Sequence, residues 1–166
     1  MAIDLKDFPK YLQDSIQSAL DEVLSERNVS KMAEDVADQI RLRTRLGNGI
    51  DSNGGEPRKL EKLKESYIKE RRKKPLSEET KATKSNLTRT GKMLNDIVGT
   101  AEGTSIVISF KDPDSAMKAK YNSEAVTYSE YRKPARPFFF VSRVQIQRIT
   151  NEIEKKLGDQ IKKNLK

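Results

Sequence analysis

Apolar side chains recur at three- and four-residue steps at both ends of the chain, a pattern that helices sharing a common core satisfy. From Phe8 to about Glu26 the stripe is Phe8, Leu12, Ile16, Ala19, Leu20, Val23 and Leu24, with Pro9 near the start, where its missing N–H matters little. Asn28 or Ser30 offers an N-cap for a second helix. Its stripe of Val29, Met32, Ala33, Val36, Ala37 and Ile40 runs towards Leu46 and stops at Gly47 and Gly49. At the other end Val144 or Ile146, Ile149, Ile153, Leu157, Ile161 and Leu165 predict a terminal helix of about 25 residues, roughly 37 Å long.

Between these helices the period changes. The run Thr104-Ser105-Ile106-Val107-Ile108-Ser109-Phe110 alternates as a strand does, and Glu102-Gly103 supplies a turn, so Asp96–Phe110 reads as a hairpin. Leu87 to Leu94 reads as a helical turn, and Asp112-Pro113-Asp114 as the cap of a short helix containing Ala116, Met117, Ala119 and Tyr121. Pro134 and Pro137 extend the chain into Phe138-Phe139-Phe140, read as a short strand with Phe138 and Phe140 on one face and Phe139 on the other. The 166 residues, about a third of them apolar, suit a single domain over 1–166. The expected class is α+β: a small antiparallel sheet packed against long N- and C-terminal helices.

Residues 47–86 differ in kind. Asn48-Gly49, Asn53-Gly54-Gly55 and Pro57 signal turns, and Lys59 to Lys74 is dense with charge, which predicts a long basic arm projecting from the domain. Leu60, Leu63, Tyr67 and Ile68 sit at helical spacing, so the arm should hold a short helix ending before Pro75. Charge is unevenly placed along the chain, whose formal net is +8. Residues 1–40 carry four basic and nine acidic side chains, whereas 56–92 carry thirteen basic and six acidic ones. Such a division suits copies that meet head to flank, or a face that meets an anionic partner.

Cysteine, histidine and tryptophan are absent, which removes thiolate chemistry, disulfides and imidazole as base or metal ligand. Asp and Glu fall within helical charge patterns, where a solvated face explains them. No enzyme, catalytic residue, cofactor or metal site is therefore expected. No apolar run approaches the roughly 20 residues of a membrane helix, and the first residues lack the order of a secretory signal, so a soluble intracellular product is expected.

Three stretches, in this order, resemble the neck and tail-completion proteins of tailed bacteriophages, also described as head-to-tail joining, minor tail or virion morphogenesis proteins. The first runs from Ile40-Arg41-Leu42-Arg43-Thr44-Arg45 through the Gly-rich turn to Leu60–Arg71. The second is Leu87-Thr88-Arg89-Thr90-Gly91-Lys92-Met93-Leu94-Asn95-Asp96-Ile97, a Leu-x-x-Thr-Gly-x-hydrophobic-Leu pattern ahead of the hairpin. The third is Arg132-Lys133-Pro134-Ala135-Arg136-Pro137-Phe138-Phe139, an Arg-Pro-Phe motif before the last helix. Many relatives carry a His-Glu-aromatic-Gly stretch before that motif, where this chain has Tyr128-Ser129-Glu130-Tyr131, so the subfamily stays open.

The resemblance implies a structural virion protein, made in the host cytoplasm, that forms a ring of six or twelve copies and meets portal, adaptor and tail proteins. Non-specific contact with packaged DNA stays open. Residues expected at a subunit or partner interface are Arg71, Arg72, Lys73, Lys74, Arg89, Arg136 and Phe139; those expected to shape turns are Thr90, Gly91 and Pro137. Gly91 is read first as a position of backbone freedom and second as a contact. The Arg71–Lys74 cluster reads equally as a solvated arm or an anion contact, and Arg41, Arg43 and Arg45 as the polar side of a helix end. The rival reading is a small basic nucleic-acid-binding protein without enzymatic activity, although only Tyr67 accompanies the basic cluster for stacking.

Overall fold

The computed structural model describes residues 8–50, 53–73, 76, 81, 83, 84, 87, 88, 90–124, 126–128, 131–133 and 135–165. Helix α1 (Phe8–Val23) and helix α2 (Glu26–Arg45) follow the first two apolar stripes. The N-cap of α2 is Ser25, not Asn28 or Ser30. Asn28 lies in the first turn instead, where its side-chain amide reaches back to the Glu22 carbonyl at 2.8 Å and ties the two helices together.

Strands β3 (Ile97–Glu102) and β4 (Ser105–Phe110) form the expected antiparallel hairpin, closed by Gly103 and Thr104. Pairing of Ile97 with Phe110, Gly99 with Ile108 and Ala101 with Ile106 puts five side chains and the bare Gly99 on one face. That face lies across α2, and Gly99 is the reason it can lie so close. A Cβ built there would fall 2.0 Å from the Ala33 carbonyl oxygen, so the strand backbone rests directly on a helix made smooth by Ala33 and Ala37. The main core then fills around Val36, Ala37, Ile40, Leu60, Met93, Leu94, Ile97, Ala119 and Phe138.

Two short helices close the hairpin end. Helix α4 (Lys92–Asn95) delivers the buried Met93 and Leu94, and helix α5 (Pro113–Ser123) delivers Ala119. Asp112 caps α5 as expected, accepting from the Asp114 N–H at 2.9 Å. Its carboxylate also meets the Lys92 ammonium at 2.7 Å, and that hydrogen bond, followed by the one from Asp114, holds the Asp112 carboxyl below its ordinary value.

Helix α6 (Arg143–Asn164) opens with a capping box, in which Ser142 accepts from Gln145 N and the Gln145 side chain accepts from Ser142 N. It lies along α1: Tyr11 donates to the Asn164 carbonyl at 2.7 Å, and the Asn164 amide to the Ser15 carbonyl at 3.1 Å. Its stripe of Ile149, Ile153, Leu157 and Ile161 is only half-buried, and no residue of α6 is fully buried. Two-residue strands β1 (Asn48–Gly49) and β2 (Arg58–Lys59), helix α3 (Glu65–Arg72) and the pair β5 (Val126–Tyr128) and β6 (Tyr131–Lys133) complete the elements. The class is α+β, with small antiparallel hairpins among long N- and C-terminal helices.

One element expected from the sequence needs correction. Phe138-Phe139-Phe140 is not a strand, so the alternation fails: Phe138 is fully buried, Phe139 half-buried and Phe140 exposed. The carbonyls of Phe138 and Phe140 accept from the Arg43 side chain rather than from a neighbouring strand. Within the arm expected over 47–86, the described residues 47–50 and 53–73 make contacts with the rest of the fold. Ile50, Leu60 and Ile68 are buried, the Leu60 N–H donates to the Gly47 carbonyl at 2.8 Å, and the helix begins only at Glu65. Most of 74–86 lies outside the described residues.

Gly99→Ala should lower stability by about 3 kcal/mol, because the new methyl has backbone rather than a movable side chain in its way. Gly158→Ala, in α6 with nothing near the built Cβ, should instead raise stability by roughly 0.5–1 kcal/mol through helix propensity. Chemical denaturation of both variants checks the contrast; equal effects would mean that the hairpin does not bear on Ala33.

Candidate interaction surface

Arg43 continues the buried stripe of α2, three residues beyond Ile40, and its guanidinium is turned into the protein. One terminal nitrogen donates to the carbonyls of Phe138 and Phe140, both at 2.7 Å. The other donates to the Gln145 side-chain oxygen at 2.9 Å. That same oxygen receives the Ser142 N–H of the capping box, and the Gln145 amide donates to Gln39 at 2.9 Å. No carboxylate is among these partners. Burial pushes the Arg43 guanidinium down to about 10, yet it stays charged at pH 7, held by carbonyl dipoles alone. The node joins α2, the Phe138–Phe140 segment and the start of α6.

A second set of contacts locks residues 47–50 and 53–62 onto 135–143. Arg136, expected to face a partner, is buried; it donates to the carbonyls of Glu61 at 3.1 Å and Lys62 at 3.2 Å, while its own N–H meets the Asn122 carbonyl. Pro137 presses its carbonyl against Gly49, where a Cβ would lie 2.0 Å away. The Gly54 carbonyl accepts from Arg143 N at 2.8 Å. Arg136 and Pro137 therefore form an internal joint, since carbonyls left bare by an irregular loop need donors.

Other residues expected at the interface divide. Arg71 is buried and donates to the Lys84 carbonyl at 3.0 Å, with its guanidinium 5.9 Å from the Tyr67 ring centre. Arg72 and Lys73 are exposed, and Lys74 and Arg89 lie outside the described residues. Phe139 stacks on Phe110 with centroids 4.5 Å apart and meets Phe138 edge-on, which leaves Phe140 as the exposed ring of the three. Thr90 is exposed, and Gly91 starts α4 at φ +74°, a left-handed conformation that a side chain would strain.

The surface itself carries two signals. Large apolar side chains are exposed in pairs one helical turn apart, Leu42 with Leu46 at the end of α2 and Met117 with Tyr121 on α5. Phe140 and Val144 are likewise exposed on either side of Ser142, Val144 to 65 %. The charge division is milder in the fold than along the sequence. The described residues 8–40 hold three basic and seven acidic side chains, but α6 brings six basic and three acidic ones to the same helical layer. Residues 53–73, with eight basic and four acidic side chains, keep their excess. A cleft of about 270 Å³ between α2 and α6 holds Asp35, Asp38 and Glu152, but Arg41 pairs with Asp38 and Lys156 with Glu152. It offers no concentrated charge.

Arg43→Leu should cost about 3 kcal/mol, since three acceptors lose a charged donor in a dry site. Arg43→Lys should recover less than half of that, because one ammonium cannot match the planar fork. Urea denaturation measures both; a lysine variant as stable as the parent would show that charge alone suffices.

Among the described residues no cluster of acidic side chains could hold a metal, and no helix is long and apolar enough to cross a membrane. The chain matches no protein-family model, no curated protein and no solved structure.

Proposed function

We propose that the chain is a structural virion protein of a tailed phage, a ring-forming neck or tail-completion subunit that joins the portal side of the head to the tail. The observation that carries this reading is the set of exposed apolar pairs, Leu42 with Leu46 and Met117 with Tyr121, on helices whose opposite faces build the core. Isolated exposed apolar residues are ordinary, but pairs on rigid helices are the raw material of protein contacts. The resembling motifs support the same reading. The Thr90-Gly91 turn launches the buried Met93 and Leu94, and Arg136-Pro137-Phe138 locks the loop onto the last helix, so they hold a rigid frame.

In a ring each copy presents one surface to a different surface of the next. The excess positive charge of residues 53–73 then faces an acidic surface of a neighbour or of the portal or tail protein. The nucleic-acid reading draws on the exposed Arg72 and Lys73, while Arg71 of the same cluster donates to the Lys84 carbonyl.

Light scattering of the purified chain, alone and mixed with a portal or tail protein, tests the proposal. Six or twelve copies in a closed assembly, weakened when Leu42→Glu or Met117→Glu is introduced, is the expected result. A monomer that joins neither protein but binds DNA, with affinity falling steeply as salt rises, would establish the rival reading instead.

A further inference from the structure

The hairpin β3–β4 has an inside and an outside edge, and the hydrogen bonds around it tell them apart. Its two-residue turn makes Glu102 and Ser105 a bonded pair, so bonded pairs recur at Thr100 with Val107 and Val98 with Ser109. The next in the series is present, since Lys111 N donates to the Asp96 carbonyl at 2.9 Å. Backbone groups of Ile97, Gly99 and Ala101, and those of Ile106, Ile108 and Phe110, must then point away from the partner strand. Arg41 marks this independently by donating to the Ile97 carbonyl at 2.6 Å from outside the hairpin. On β4 nothing comparable is found: no hydrogen bond reaches the outward groups of Ile106 and Ile108 among the described residues.

Strand edges left open on a monomer are normally guarded by lysine, proline or a bulge. Residues 103–110, Gly-Thr-Ser-Ile-Val-Ile-Ser-Phe, contain neither a charge nor a proline, in a chain of which 35 % is charged. The pairing is regular, with no bulge. We infer that the outer edge of β4 takes an extended strand from a second copy of this chain, so that the hairpin becomes part of a sheet shared between subunits. Every copy carries the same net +8, and residues 103–110 are a segment along which a second copy can pair without setting like charges opposite one another. Ile106, Ile108 and Phe110 face α2, which holds the strand rigid and fixes which groups point outward. The choice of a second copy as partner rests on the ring reading above; the edge itself does not.

Amide hydrogen exchange of the assembled protein reads the edge residue by residue. In the assembly the Ile106 and Ile108 amides should exchange at least tenfold more slowly than in the dissociated chain, approaching the inner Val107 amide. Ile106→Pro removes an outward N–H without touching the bonds to β3, and Val107→Lys sets a charge beside the edge on the face away from α2. Each should keep the monomer's circular dichroism and raise the concentration needed for assembly by tenfold or more. Assembly in which the Ile106 and Ile108 amides exchange as in the free chain, or in which Val107→Lys assembles like the parent, overturns the shared sheet and leaves the ring reading standing. A chain that stays monomeric alone and with portal and tail proteins overturns both.

Discussion

A buried guanidinium without a carboxylate holds the two ends of this protein together. Arg43 gives its hydrogens to two main-chain carbonyls and to the glutamine that caps α6, so one side chain of α2 fixes the Phe138–Phe140 segment and the start of α6. Hydrogen bonds to a charged donor in a dry site contribute roughly 1.5–3 kcal/mol each in the balance between burial and bonding. The desolvation of Arg43 offsets part of that, as its lowered pKa records. What remains is geometric: a planar fork accepts only one arrangement of the Phe138–Phe140 carbonyls, and that arrangement leaves Phe138 inward and Phe140 outward.

Around this node the fold relies on backbone meeting backbone. Gly99 rests on Ala33, and Gly49 on Pro137, at separations that no side chain would permit. Both contacts join segments far apart in sequence, the first hairpin to helix and the second a short strand to a loop. With Arg136 added, residues 47–50, 53–62 and 135–143 become one interlocked layer, and the terminal helix α6 is positioned by its first turn rather than by deep burial of its own stripe. The outer faces of α2 and α5 meanwhile keep Leu42, Leu46, Met117 and Tyr121 exposed.

The elements that obey a simple period were legible in the sequence. Both helical stripes, the hairpin and the Asp112 cap depend on residues near one another in the chain, so local pattern suffices. Arg43 was not, because Arg41, Arg43 and Arg45 look alike and only contacts 95 to 102 residues away distinguish them. A signal existed: Arg43 stands seven residues after Val36 and three after Ile40, on the buried stripe itself, where a solvated arginine has no place. Phe138-Phe139-Phe140 misled for the opposite reason, since bulk suggests a strand but cannot show whose donors its carbonyls will meet. For the expected interface, Arg71, Arg136 and Phe139 carry the residue types of a binding surface, yet these long or flat side chains serve internal joints equally well.

Hydrogen exchange of the Arg43→Leu variant under native conditions tests most directly whether the guanidinium is the bolt between the halves. If it is, amides of Phe138–Ser142 and of the first turns of α6 lose protection together, by tenfold or more, while those of α2, β3 and β4 keep theirs. Protection lost evenly over the whole chain, or lost nowhere beyond the carbonyl partners of Arg43, would contradict the account.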